Sequence, residues 1–304
     1  MAAGSAWVPR RVSPRVLVTG ARGQLGEEVL ARGDASAVGL GRSELDIADR
    51  AAVERAFEAI GPDLVVNTAA YTAVDRAESE PELAFAINAD GPRHLARACA
   101  AAGVPLIHVS TDYVFDGAKA EGYVEDDPVA PLQIYGASKE AGERAIREEL
   151  AEHVILRTAW VYSSHHRNFV LTMRQFAAER DVLRVVGDQR GSPTWAGELA
   201  QAIWRIAPQL GGAGRFGTYH FAGAGSTSWA EFAEAVMELC LPAGRPAPPV
   251  VPIASAEFPR PARRPACSVL RCARIGRVFG VAPRPWRDAL AEVGCQLRAL
   301  EVPA

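Results

Sequence analysis

Val16-Leu17-Val18-Thr19-Gly20-Ala21-Arg22-Gly23-Gln24-Leu25-Gly26 is a short apolar strand that runs directly into three glycines spaced three apart, and then into the helical pattern Glu27 to Arg32. In a strand–turn–helix the three glycines have separate duties. Gly20 permits the tight turn, Gly23 lets backbone approach a pyrophosphate, and Gly26 allows the helix to pack closely on the strand, with its N-terminus facing the anion. A glycine triplet also marks plain turns, so its meaning here comes from context. Strand-like Ala37 to Leu40, helical Ala51 to Ile60 and strand-like Leu64-Val65-Val66 running into Asn67 come next. Helical Glu82 to Ala102, strand-like Leu106 to Ser110, helical Ser138 to Glu149 and strand-like Val154 to Arg157 continue the alternation. Apolar runs of strand length alternating with Ala-rich helical periods predict an α/β fold, a doubly wound and mostly parallel sheet of six or more strands.

Such a sheet is Rossmann-type, and its boundaries can be read from where the rhythm fails. After about Trp160 the pattern loosens at Gly191-Ser192-Pro193, Gly211-Gly212 and the Pro-rich stretches Pro242 to Pro252 and Pro259 to Pro265. The expected organisation is a flexible leader over 1–14 and an NAD(P)-binding domain over 15–160. Residues 161–304 read as mainly a smaller C-terminal substrate-binding cap, with segments returning to the first domain. The 304 residues exceed the ~150 of a typical domain, so a sizeable core is available. With 33 basic against 36 acidic side chains, a formal charge of −3 gives no general attraction to nucleic acid or anionic membrane. The charge-free run Ala98 to Thr111 is broken by Gly103, Pro105 and His108, and nothing approaches the ~20 apolar residues of a spanning helix. Residues 1–14 hold no apolar block of signal-peptide length, and the cysteines Cys99, Cys240, Cys267, Cys272 and Cys295 contain no Cys-x-x-Cys pair. A cytoplasmic protein with reduced thiols and no zinc site is expected.

Chemistry concentrates at Tyr135-Gly136-Ala137-Ser138-Lys139, where four-residue spacing puts a phenol and an ammonium on one helix face. A neighbouring cation stabilises a phenolate and lowers a pKa that is ordinarily near 10, which suits the phenol to acid–base work on a carbonyl oxygen. The same spacing also arises in surface helices. What favours catalysis is Ser110-Thr111 at the carboxyl end of a strand, the edge where such sheets bind ligands, with the Thr111 hydroxyl in reach of substrate and Tyr135. The acid that would hold a ribose hydroxyl after the second strand is missing. Gly39-Leu40-Gly41-Arg42 stands there instead, and Arg42 is either a partner for a 2′-phosphate, favouring NADPH over NADH, or a solvated arginine.

These residues, with Val65-Val-Asn-Thr-Ala-Ala-Tyr-Thr-Ala-Val-Asp75 and Ser110-Thr-Asp-Tyr-Val-Phe-Asp-Gly117, resemble the extended short-chain dehydrogenases. Arg157-Thr-Ala-Trp-Val-Tyr162, Asp188-Gln-Arg-Gly-Ser-Pro-Thr194 and Arg260-Pro-Ala-Arg-Arg-Pro265 narrow the resemblance to the dTDP-4-dehydrorhamnose reductase family, in order from about Val16 to Leu290. The resemblance implies NAD(P)H-dependent reduction of the C4 ketone of dTDP-6-deoxy-L-lyxo-4-hexulose to dTDP-L-rhamnose. It implies cofactor contacts at Gly23, Gln24, Leu25, Asp46, Ile47, Ala70, Tyr71, Thr72, Tyr135 and Lys139, to which the reading of the residues themselves adds Gly20, Gly26, Arg42 and Val109. Tyr135 would be the proton donor, with Lys139 and Thr111 as its partners, and Thr111, Asp112 and Trp160 would touch the dTDP-sugar. Arg263 and Arg264 are added here as guanidinium groups suited to its diphosphate, with a solvated loop the other reading. Magnesium-linked dimers of the family use glutamates. Glu28 fits the first position, but Gly197 stands at the second with Glu198 one place off, and Gln296 replaces the third. No metal is therefore assigned, and Glu28 reads as a helix N-terminal anion. His165-His166 lacks an i, i+4 partner for zinc and reads as an exposed loop. The state is monomer or homodimer. Two alternatives are a related dTDP-deoxysugar synthase of an antibiotic pathway, of the streptomycin dihydrostreptose type, and a non-catalytic dinucleotide-binding regulatory subunit. A binding subunit has no use for Thr111, Tyr135 and Lys139 together.

Overall fold

The computed structural model describes residues 14–211, 214–242 and 244–300, so residues 1–13 of the expected leader lie outside the described residues. The first half runs β1 (Val16–Thr19), α1 (Gln24–Arg32), β2 (Ala37–Leu40), α2 (Arg50–Ile60), β3 (Leu64–Asn67), α3 (Val74–Ala77) and α4 (Pro81–Phe85). A π-helical turn (Ala86–Asp90) leads into α5 (Gly91–Ala102), β4 (Leu106–Thr111), α6 (Ile134–Glu149) and β5 (His153–Thr158). The second half has β6 (Val161–Tyr162), α7 (Phe169–Glu179), β7 (Leu183–Val186), β8 (Arg190–Gly191), β9 (Thr194–Trp195), α8 (Ala196–Ile206) and β10 (Gly217–His220). It closes with β11 (Thr227–Ser228), α9 (Trp229–Cys240), β12 (Val250–Ile253), α10 (Ala273–Phe279) and α11 (Trp286–Ala299).

Six strands form one parallel sheet in the order β2-β1-β3-β4-β5-β10. The order reverses between β1 and β3, and the crevice outside the carboxyl ends at such a reversal is where doubly wound sheets take ligands. Buried strand residues such as Leu17, Val66 and Ile107 are continuous apolar runs because helices cover both faces. Val29 of α1, Leu199 and Ile203 of α8 and Phe279 of α10 pack on one face. Val53 of α2, Leu95 of α5 and Ile146 of α6 pack on the other. A separate core joins α7, α9 and α11 around Phe232, Val236 and Leu290. Thus α8 and β10, though late in sequence, belong to the sheet layer. No helix among the described residues is long and apolar enough to cross a membrane.

Three helices differ from the sequence reading by more than a single residue at an end. The single helix expected over Glu82 to Ala102 is interrupted by the π turn, where the Gly91 N–H reaches back to the Ala86 carbonyl. Pro92 follows and has no N–H to continue the ordinary ladder. Helix α6 starts at Ile134 rather than Ser138, because the Gln133 side chain accepts from the Gly136 N–H at 2.6 Å and caps the earlier turn. Helix α1 likewise starts at Gln24, directly on the glycine turn.

Candidate active site

The turn after β1 is held by a 2.9 Å bond from the Gly23 N–H to the Gly20 carbonyl, with Gly20 at φ 70°. A Cβ on Gly26 would lie 2.3 Å from the Gly20 oxygen, so only glycine lets α1 seat this close. Gly23 caps α1 with no side-chain acceptor, which leaves the first-turn N–H groups and the positive helix end for an anion. This donor set fits a dinucleotide pyrophosphate. Beside it is a cavity of about 400 Å³ lined by Gly20, Gly23, Arg42, Asp46, Ile47, Ala70, Tyr71 and Thr72. Arg42 lies at its rim, exposed, with Nε 3.9 Å from Asp46 Oδ2.

The loop after β3 is pinned from behind. Asn88, in the π turn, accepts from the Tyr71 N–H at 2.8 Å and donates to the Tyr71 carbonyl and to Ser138 Oγ, both at 3.0 Å. One neutral amide thereby ties the cofactor-side loop to the helix that carries Tyr135 and Lys139.

A second cavity of about 530 Å³ shares Gly23, Thr68, Ala70 and Thr72 with the first, so the two are one groove along the strand ends. Its walls bring together Gln24, Leu25, Gly26, Val109, Thr111, Asp112, Tyr135, Lys139 and Trp160. Thr111 ends β4, and Tyr135 lies in the first turn of α6. Their approach depends on Gly136, where a Cβ would fall 2.1 Å from the Tyr113 carbonyl. The Thr111 hydroxyl hydrogen-bonds the Tyr135 phenol and lies 3.0 Å from Asp112 Oδ1. Gln24 reaches across, donating to the Val161 carbonyl at 3.1 Å and accepting from Ser163 and Asn168 at 3.0 Å.

Burial sets the protonation states. It pushes the Tyr135 phenol up to about 12, against the Thr111 bond, and Asp112 adds to the rise. It lowers Lys139 to about 8, opposed by Glu143, and raises Asp112 to about 7, opposed in part by Thr111. The expectation that Lys139 lowers the phenol is therefore corrected for the cofactor-free protein. Lys139 Nζ donates to the Val109 carbonyl at 2.8 Å and lies 3.2 Å from His108 Nε2, while desolvation governs Tyr135. Beneath them Arg157 of β5 grips Glu143 of α6 with two bonds of 2.8 and 2.6 Å, both side chains buried.

Trp160 takes a left-handed backbone, φ 47°, and stacks on Trp229 with ring centres 3.5 Å apart. Past this pair is a third cavity of about 450 Å³ whose walls carry Arg167, Arg180, Arg184, Arg260 and Arg264 together with Phe169, Phe176 and Phe258. Tyr113, Arg167 and Trp229 line both this cavity and the catalytic one. Arg264 is half-buried and pairs with Asp75 at 3.0 Å. Arg263 is exposed and lines none of these cavities, which corrects its pairing with Arg264: adjacent residues of an extended loop point opposite ways.

Glu28 lies beyond the first turn of α1, buried against Arg32, and also faces His165 Nδ1 at 3.6 Å, so it is not the helix N-terminal anion expected. His165 is half-buried, and His166 Nε2 lies 2.9 Å from Glu27, so the pair docks on α1. Its partner comes from another element, which a search for i, i+4 spacing cannot find. Glu198 is taken up by Arg284, whose N–H it accepts at 2.8 Å. Sequence reading missed Asn88, His108, Trp229, Arg167 and Arg180 on either side of α7, and Arg184 of β7. Asn67 does lie inside the Val65 to Asp75 motif and His108 inside β4, where a polar residue in an apolar run is the available signal.

A family model described as RmlD substrate binding domain matches residues 14–298. The dTDP-4-dehydrorhamnose reductase of Streptomyces griseus is 46% identical over 285 residues, covering 92% of each chain. A solved dTDP-4-dehydrorhamnose reductase from Clostridium acetobutylicum superposes with TM-score 0.88 at 37% identity, covering 93% of this chain and 99% of that one. The Bacillus anthracis enzyme, solved in complex with NADP, gives 0.87 at 37% identity, covering 94% and 100%. With a glycine turn opening a parallel sheet, Thr111, Tyr135 and Lys139 at its carboxyl edge, and this likeness along nearly its whole length, the chain belongs to the RmlD substrate-binding-domain family, many of its relatives being named dTDP-4-dehydrorhamnose reductases.

Proposed function

We propose that the protein reduces the C4 ketone of dTDP-6-deoxy-L-lyxo-4-hexulose to dTDP-L-rhamnose with NADPH. The observation that carries this reading is that Thr111, Tyr135 and Lys139 meet where a cavity fit for a dinucleotide joins a cavity rich in arginine and aromatic side chains. In this reading residues 15–160, with α8, β10 and α10, form the cofactor-holding layer, and the rest of 161–300 mainly holds the sugar nucleotide. Bound NADPH supplies a hydride to the ketone carbon. The α1 N-terminus holds the pyrophosphate, Arg42 takes the 2′-phosphate, and Lys139 holds the nicotinamide ribose. Arg264 and Arg260 pair with the substrate diphosphate, the aromatic rings take the base, and Trp160 and Asp112 bracket the sugar. Fixing both partners removes orientational entropy from the barrier. Tyr135, kept protonated by its buried setting, gives its proton to the ketone oxygen as the carbon is reduced. The hydroxyl of Thr111 then stabilises the phenolate until it regains a proton from water.

The test is to supply purified protein with dTDP-4-keto-6-deoxyglucose, a 3,5-epimerase and NADPH, following absorbance and resolving the sugar nucleotides by chromatography. Oxidation of NADPH with formation of dTDP-L-rhamnose is expected. NADPH that binds but is not oxidised would contradict the reading.

A further inference from the structure

Under Lys139 lies a buried chain of polar groups whose hydrogen-bond directions are fixed from one end. The Ala69 backbone N–H donates to Asn67 Oδ1 at 3.0 Å, and the Thr19 hydroxyl donates to the same oxygen at 2.7 Å. A backbone N–H can only donate, so the Asn67 oxygen must face Ala69 and its NH₂ must face His108 Nδ1, 2.9 Å away. His108 Nδ1 therefore accepts. Burial holds this imidazole well below its ordinary pKa, so the ring is neutral and carries its one proton on Nε2. Nε2 lies 3.2 Å from Lys139 Nζ, which itself donates to the Val109 carbonyl at 2.8 Å.

A lysine ammonium has three hydrogens and no lone pair, and would meet the Nε2–H donor to donor. An amine accepts it. Asn67 and His108 are fully buried and Lys139 is 1% exposed, so no bulk water relieves a mismatch. Of the other charged or titratable groups near Lys139, Glu143 favours the cation but does not offset burial. The Glu143 carboxylate, one turn on, is taken by Arg157 and Ser110. Tyr135 one turn before holds its proton, and Asp112 beyond it is raised towards neutrality. Ile87, Asn88 and Ala89 of the π turn, packed against α6, are uncharged.

We propose that His108 is a positioning residue: by donating its Nε2–H to Nζ, it favours the neutral amine of Lys139 over the ammonium in the protein without cofactor. The consequence for turnover rests on the reductase reading above, but the protonation state does not.

The composition offers a direct experiment, because Lys119 and Lys139 are the only lysines in the chain. Lys119→Arg labelled with ¹³C,¹⁵N-lysine shows Lys139 alone, and ¹⁵N-histidine labelling reports the ring tautomer, with His108→Gln identifying the His108 signals. At about pH 9, where an ordinary lysine of pKa about 10.4 stays an ammonium, the full-length protein without cofactor is expected to show Lys139 Cε and Nζ shifts of an amine and His108 as the Nε2–H tautomer. Asn67→Asp replaces the donor to Nδ1 by an acceptor. It is expected to move the ring proton to Nδ1 and raise the Lys139 midpoint by at least about one pH unit, tenfold in proton affinity. Added charge alone would shift the lysine without moving the ring proton. Lys139 found as ammonium at that pH, or His108 found as the Nδ1–H tautomer, overturns the proposal. A protein that shows the amine yet oxidises no NADPH would contradict the reductase reading and leave this inference standing.

Discussion

The two ends of the groove are built from different materials. At the cofactor end the chain presents main chain: the Gly20–Gly23 turn, the uncapped start of α1, and a loop fixed through Asn88 to its own backbone. At the far end it presents side chains from separate segments: Arg167 and Arg180 around α7, Arg184 on β7, and Arg260 and Arg264 in a Pro-rich loop. A site made of backbone needs particular residues at particular spacings, because only glycine allows the approach. A site made of long cations tolerates many sequences, because an arginine reaches the same point from several places. Tyr135 and Lys139 stand at the seam, on α6, where they line the cavity between the two.

Substitutions can break or sharpen this division. The largest effect is expected where both ends share a support: Arg157→Met strands the buried Glu143 carboxylate under α6 and should cost about 3–5 kcal/mol in urea unfolding. Gly26→Ala attacks the backbone end alone. With its Cβ 2.3 Å from the Gly20 oxygen, it should weaken NADPH binding by about tenfold to a hundredfold, and dTDP binding measured by calorimetry should be unchanged. Arg264→Met reverses the pattern, raising KM for the sugar nucleotide by about tenfold through loss of a charge-assisted bond while NADPH titrates as before. Arg42→Ala should be smallest, about two- to fivefold on NADPH and nothing on NADH, since the guanidinium is exposed. An Arg264 variant that loses NADPH, or a Gly26 variant that loses dTDP, would dissolve the division.

The same contrast explains what was legible in the sequence. The glycine turn, the alternating strands and the Tyr135 to Lys139 spacing each follow a local rule, and the structure brings these residues together in one groove. What could not be read depended on contacts remote in sequence. Asn88 gains its role only because the π turn aims it at Tyr71 and Ser138. His165 and His166 meet Glu27 from another element, and β10 joins the sheet beside β5 from far downstream. Arg263 and Arg264 are neighbours in sequence, yet only the second faces a cavity. The spacing predicts that Lys139 tunes Tyr135 through charge, but burial of the phenol and the bonds of Lys139 to β4 dominate.

The seam itself gives the most direct test. Single-turnover reduction by Tyr135→Phe, run beside calorimetric titrations of NADPH and dTDP, separates proton donation from binding. Hydride transfer slower by about 10²- to 10⁴-fold, with both affinities retained, is the result expected of a general acid. Hydride transfer within about tenfold of the parent protein would show that Tyr135 is not the proton donor.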